Sequence, residues 1–266
     1  MLRSVLLKTL YDQRRALLAW GVSLVLLVAM YVAIWPSIKN QPSLSDFLNR
    51  MPEAFRSLFA ASGADMSTPV GYIQIELMSF LGPLIVIMYA VVAGGAAVAG
   101  EEDRHTLDML LANPVSRSRI VLEKAAAMVL GTFALAAVTG VALIVEGRWA
   151  DMFLPIGGVA AAMLHLALLG VVFGALALAI GAGFGQVGTS RAVPAVIAVV
   201  AYVVNGLAPQ VSWLRPLRKL SPFYQFNGHD PLRNGVSAAA LIVAVGTVVV
   251  LVTLAVIGFR RRDAAA

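Results

Sequence analysis

EEDRHTLDMLLANPVSRSRIVLEK, residues Glu101 to Lys124, is the stretch whose reading decides the fold. It is the one long run of charge, turn residues and proline between two very apolar segments. From Thr106 the pattern is helical. Leu107, Leu110 and Leu111 recur at i, i+3 and i+4 and share one face, and Asp108 lies off it. Glu101, Glu102 and Asp103 stand where a helix N-terminus favours negative charge. Pro114 ends the run and presses Asn113 out of helical geometry. Ser116 then caps a second helix that continues into apolar sequence at Ile120. The stretch predicts a short amphipathic helix of roughly two turns between two membrane helices. Its apolar face needs a cover: lipid headgroups, the protein's own helices, or a partner protein. The plainer alternative is an ordinary loop packed on itself.

The flanking sequence is apolar throughout. Of 266 residues, 60% are hydrophobic and only 13% charged, and the mean hydropathy is +0.86. Soluble domains average about 25% charged residues. A soluble core of this size does not hide so much apolar surface, so the chain reads as an all-α integral membrane protein. The net charge of +6 sits at the ends of apolar segments, the pattern that orients helices in a bilayer, and nucleic acid is not an expected partner. The absence of cysteine removes disulfides and thiolate metal sites.

Six spans follow in order, at about 16–35, 78–99, 120–145, 153–181, 192–207 and 236–259, within a single domain over 1–266. The first is too long for a signal-peptide core and reads as a retained helix. Before it, Arg3, Lys8, Arg14 and Arg15 alternate with Leu6, Leu7, Leu10 and Tyr11, which predicts an amphipathic helix on the membrane surface. Residues 36–77 hold four of the twelve prolines and read as an outer loop, with a short interfacial helix over Ser45–Phe59. Arg260, Arg261 and Arg262 read as a cytoplasmic stop. An even number of spans places both termini in the cytoplasm, and twelve of the twenty basic residues then fall on the inner side.

Little catalytic chemistry is visible. No phosphate-binding loop of the G-x-x-x-x-G-K-[ST] type occurs, so any ATP dependence must come from a partner. His105, His165 and His229 lie far apart in sequence, which argues against a metal site. Gly183, Gly185 and Gly188 match G-x-G-x-x-G, but they follow a membrane helix rather than a strand, so dinucleotide binding is not expected. Gly170 and Gly174, continued by Ala175, Ala179 and Gly183, permit close helix contact, within the chain or across a dimer. The polar groups inside spans are Glu76, His165 and Asn205, and His165 reads as a buried, hydrogen-bonded neutral imidazole. Leu220-Ser221-Pro222-Phe223, followed by Tyr224 and Phe226, reads as a helix-breaking turn with aromatic anchors.

The opening stretch resembles a motif of ABC-2 type permeases, the membrane subunits of a class of ABC exporters. That motif runs Glu, an acid two residues on, Thr-Leu, Leu-Leu, Pro, Ser-Arg and Lys. Here it is Glu101, Asp103, Thr106-Leu107, Leu110-Leu111, Pro114, Ser116-Arg117 and Lys124. The Leu-Ser-Pro-Phe element, the basic first helix and the six spans also resemble this family, in the type V exporter-like arrangement. The family usually has Gly just before the Thr. Here His105 stands there, which alters the local turn or puts a titratable group at an interface. The resemblance implies that residues 101–117 form a cytoplasmic coupling helix, docking on an ATP-binding subunit through Leu107, Leu110 and Leu111 and through ionic contacts of Glu101 and Asp103. It implies two such subunits, which bind the ATP and Mg, and a second copy of this permease or a homologue. The pathway would lie at the dimer interface, lined by the first, second and fifth helices. The expected function is export of a hydrophobic or amphipathic molecule, such as a drug, antibiotic or lipid, across a bacterial plasma membrane, without enzymatic activity in this chain. The alternative is an integral-membrane enzyme or assembly factor with no ATPase partner.

Overall fold

The structure is a computed structural model that describes residues 4–39, 50–53, 65–112 and 115–262. Six helices are long and apolar enough to cross a membrane: α1 (Val5–Ile38), α2 (Pro69–Ala97), α5 (Arg117–Trp149), α6 (Ile156–Phe184), α7 (Val187–Leu207) and α11 (Ala238–Arg261). Two short helices, α3 (Ala99–Asp103) and α4 (Leu107–Leu111), lie between α2 and α5. Three more, α8 (Arg215–Arg218), α9 (Pro222–Asn227) and α10 (Pro231–Asn234), link α7 to α11. No strand occurs among the described residues. A bilayer core leaves backbone groups no water to bond, so apolar segments of this length close their hydrogen bonds internally as helices.

The surface helix expected at the start is not a separate element. It is the first third of α1, whose 34 residues span about 51 Å against the roughly 30 Å of a hydrocarbon core. Ser4 caps it, accepting from Leu7 N at 3.2 Å, and Glu123 of α5 accepts from Leu6 N at 2.8 Å. Arg119 Nε holds the same carboxylate at 2.6 Å. The start of α1 is thereby fastened to the start of α5. The Ser45–Phe59 helix expected in the first loop falls mostly outside the described residues.

α2 begins at Pro69 rather than near Met78. Thr68 accepts from Gly71 N at 3.1 Å and Pro69 occupies the first turn, where its missing N–H costs nothing. Glu76 therefore lies inside the helix, on a π-helical segment at Gln74–Leu81.

α6 is the central helix, packed against α2, α5, α7 and α11, while α1 packs chiefly on α5. The small-residue stripe makes its contacts within the chain. A Cβ on Gly170 would sit 2.7 Å from Val86 Cγ1 and 3.0 Å from Thr132 Cγ2. One on Gly174 would press Met128 Sδ and Ala90 O, and one on Gly94 would collide with Gly174 O. The glycines let α2, α5 and α6 approach backbone to side chain. The G-x-G-x-x-G run is where α6 ends and α7 begins. Gly185 is the left-handed cap at φ 71°, donating to Gly181 O at 2.9 Å.

Both ends of the described chain lie at one end of the bundle. Leu6 bonds Glu123 there, and Arg262 bonds Glu102. α3 and α4 lie at this same end.

Candidate functional site

The α3–α4 corner is built around Glu101. His105 N donates to Glu102 O at 2.9 Å and Thr106 N to Glu101 O at 2.8 Å, closing α3 with His105 at φ 55°. This pair of bonds around a left-handed residue is a standard helix stop, and the left-handed position favours glycine. The departure from the family pattern at His105 is thus a side chain carried where backbone geometry prefers none. The Thr106 hydroxyl turns back to donate to the Glu101 carboxylate and, at 3.1 Å, to Glu101 O. The corner is locked and α4 leaves in a fixed direction.

Lys124, in the second turn of α5, points its Nζ at Glu101 Oε1 at 2.6 Å. Its side chain is 5% exposed and that of Glu101 15%. Arg104 approaches the same oxygen at 3.8 Å. Burial pushes the Glu101 carboxyl up, but the hydrogen bonds from Lys124 and Thr106 and the charges of Lys124 and Arg104 outweigh it and hold the group below its ordinary value. Next to it, Glu102 Oε1 accepts from Arg262 Nη2 at 2.6 Å, at the end of α11. Arg262 Nη1 also donates to Ala182 O at 3.4 Å, near the end of α6. Arg117 donates to Phe259 O at 3.3 Å and to Arg262 O, and its guanidinium lies over the Phe259 ring. These bonds satisfy carbonyls that a helix C-terminus leaves without partners. Ser116 caps α5 through Arg119 N at 3.3 Å.

The leucine face is covered by the chain's own helices. Leu107 is buried with Val98, Val121, Leu178, Ala182, Ala255 and Phe259, and Leu111 packs against the same group. Leu110 is half-buried. What the corner presents outward is different. Met109 is 71% exposed, and Asp103, Arg104, His105, Asp108 and Ala112 are exposed beside it. So the structure gathers Glu101, Thr106, Leu107, Leu111 and Arg117 into the bundle, leaves Asp103 and the capping Ser116 exposed, and Pro114 lies outside the described residues. An amphipathic stripe in a sequence tells which residues share a face, not what lies against it.

At the far end, Ser221 caps α9, accepting from Phe223 N at 3.2 Å and donating to Ala201 O at 2.9 Å. Phe223 is buried against Tyr202 and Phe173, with ring centroids at 5.4 and 5.9 Å. The Leu-Ser-Pro-Phe element is a tight helix start wedged between α6 and α7. The histidines that lie apart in sequence meet here, His165 and His229 with centroids 4.9 Å apart. His165 Nδ1 lies 3.1 Å from Gln225 O, and its Nε2 accepts from Ser237 N at 3.3 Å. A ring that donates from Nδ1 and accepts at Nε2 is neutral and pins the far-end helices to α6. His229 Nε2 is engaged by Gly235 O at 2.8 Å. The described residues contain no group of three or more metal-ligating side chains. Asn205, near the end of α7, reaches Asn227 Oδ1 at 3.5 Å.

Six spanning helices, with α6 at their centre, carry a locked two-helix corner between the second and third spans. The family profile described as "ABC-2 family transporter protein" matches residues 3–264, nearly the whole chain. The chain belongs to the ABC-2 family of transporters. Comparison with curated proteins gives no match. In this ABC-2 protein the residues that tie the corner to the bundle include Lys124, the last position of the motif, and two that lie outside it, Glu102 and Arg262. Arg262 was legible only as a topological stop charge. Lys124 carried a signal, since a lone cation four residues past Ile120 in an apolar helix requires an anion. Glu102 could not be told from its acidic neighbours without the corner geometry.

Proposed function

We propose that this chain is the permease subunit of an ATP-driven exporter in a bacterial plasma membrane, with both termini and the α3–α4 corner in the cytoplasm. An ATP-binding subunit, holding the ATP and Mg, docks on the outward face of α4. Two copies of that subunit serve a pair of permeases, either two copies of this chain or this chain and a homologue. The observation that carries the reading is the corner itself. It is stiff, it offers a large exposed apolar side chain, Met109, flanked by Asp103 and Asp108, and it is bonded to three spanning helices. A push on α4 passes to α5 through Glu101–Lys124, to α11 through Glu102–Arg262, and to α6 through Arg262 and Ala182 O. Such a lever is a physical two-site connection rather than mere proximity. The cargo is a hydrophobic or amphipathic small molecule, consistent with apolar grooves between the spans.

The docking contact moves from the leucine stripe to Met109. Leu110→Asp with Leu111→Asp damages the packing beneath the corner as well as any docking. Met109→Glu leaves the fold and membrane insertion intact and abolishes stimulation of transport by the ATP-binding subunit. Wild-type transport by Met109→Glu with its partner removes Met109 as the docking contact. A purified chain that acts fully without any ATPase overturns the exporter reading.

A further inference from the structure

An open groove of about 350 Å³ runs between α2 and α7. Its walls are apolar: Leu84, Met88, Val92, Ala195 and Val199 along the middle, with Phe80 and Tyr202 at the far end. The Phe80 and Tyr202 rings meet at 5.8 Å and close that end with an aromatic wall. The opposite end holds the only charged lining residue among the described residues, Arg191. Its Nε is buried with no hydrogen-bond partner, and no ion pair to it occurs among the described residues. This sets it apart from Arg104, Arg117, Arg119 and Arg262, each of which is paired with a carboxylate or with carbonyl oxygens.

Arg191 is held in place from behind. Ser190 donates to Gly95 O at 3.2 Å and to Val187 O at 2.8 Å, fixing the first turn of α7 against α2. A Cβ on Gly95 would come within 3.1 Å of Arg191 Cγ, so the glycine makes room for the arginine stem. With its stem clamped and its Nε buried without an acceptor, the partly buried guanidinium is incomplete, and an anionic acceptor completes such a donor most strongly.

From this we infer that the groove binds a single-chain amphiphile with an anionic head, its head on Arg191 and its tail running toward Tyr202. The proposal deepens the transport reading by naming the cargo class of this groove. The helical run from Arg191 to Tyr202, eleven residue steps, is about 16 Å long, which suits a hydrocarbon tail of roughly a dozen carbons. The volume lies at the small end of ligand sites, as a single chain requires. Arginine fits a phosphate or carboxylate head through paired N–H donors, which a lysine point charge does not reproduce.

The test uses the full chain with Val199→Cys, labelled with an environment-sensitive fluorophore, in nanodiscs of zwitterionic lipid. The wild-type chain has no other cysteine to label. The probes are dodecyl phosphate and dodecyltrimethylammonium. The expected result is saturable binding, with the phosphate bound at least about tenfold more tightly, the ratio a single charge-assisted contact supplies. Arg191→Gln abolishes that preference while keeping tail-driven binding, and Arg191→Lys restores part of it. Equal binding of the two probes, or an unchanged preference in Arg191→Gln, overturns the proposal. If bulk phosphatidylglycerol in the nanodisc erases the preference, Arg191 is a headgroup anchor and the cargo assignment falls. If Val199→Cys forms a disulfide dimer that dodecyl phosphate does not prevent, the groove is a face for a second copy and the proposal likewise falls. No ATP-binding subunit enters this assay, so its outcome is independent of the docking reading.

Discussion

Removing Glu101 strands a cation. The Lys124 side chain is 5% exposed, and its ammonium has Glu101 at 2.6 Å as its one carboxylate partner. Glu101 is better provided for, since Thr106 and Arg104 also face it. The two single substitutions therefore have unequal costs. Glu101→Leu leaves a buried, uncompensated charge and costs about 3–5 kcal/mol. Lys124→Met leaves a carboxylate with a hydroxyl donor and a distant guanidinium and costs about 1–3 kcal/mol. The double variant removes both charges and fills the space with apolar atoms, so it costs less than Glu101→Leu alone. The assay is reversible unfolding in mixed micelles titrated with SDS, followed by helical circular dichroism, for the four proteins of the cycle. A double variant whose loss equals the sum of the two singles means that the side chains do not act as a pair, and the reasoning fails.

The same carboxyl sets a pH dependence. Its folded-state value is held below the ordinary 4.5, so its stabilisation is present above that value and is lost as pH falls through the lowered one. The stability gap between wild type and Glu101→Gln narrows as pH falls below the ordinary 4.5, and a gap that does not change with pH on acidification contradicts the assignment. At His105, a β-branched residue at φ 55° is strained, so His105→Val loses about 1–3 kcal/mol. His105→Gly relieves about 1–2 kcal/mol of backbone strain against a smaller entropy penalty and is at least as stable as wild type, measurable in the same titration. In the bundle, Gly94→Ala drives a methyl into Gly174 O and costs about 3 kcal/mol or more, whereas Gly157→Ala meets open space and changes stability little. Equal melting temperatures for these two alanine variants refute the close approach of α2 and α6.

The spanning helices were readable because a bilayer admits few alternatives to a long apolar helix. The widest misses were the starts of α1 and α2, and α7 also begins at Val187 rather than near 192. Glu76 made α2 seem to start late, although Thr68-Pro69 is a start signal of its own. The arginines of residues 1–15 looked like a separate surface helix because charge marks an interface but does not break a helix. At the corner, where a single helix over 101–117 was expected, the chain forms the two short helices α3 and α4, and the leucine spacing said nothing of which side of α4 faced the bundle. Leu107 went inward because the ends of α2, α5, α6 and α11 converge beneath it, a tertiary fact. The Glu102–Arg262 tie joins residues 160 positions apart, and no local pattern signals it. The His165–His229 contact was hidden for the same reason.

The account rests on the exposed head of α4 facing the cytosol and meeting an ATPase there. Because the chain has no cysteine, Met109→Cys gives a single reporter. A membrane-impermeant maleimide should leave it unlabelled in intact cells, label it in inverted membrane vesicles, and fail again when the ATP-binding subunit is bound. Labelling in intact cells, or unimpeded labelling in the presence of that subunit, contradicts the account.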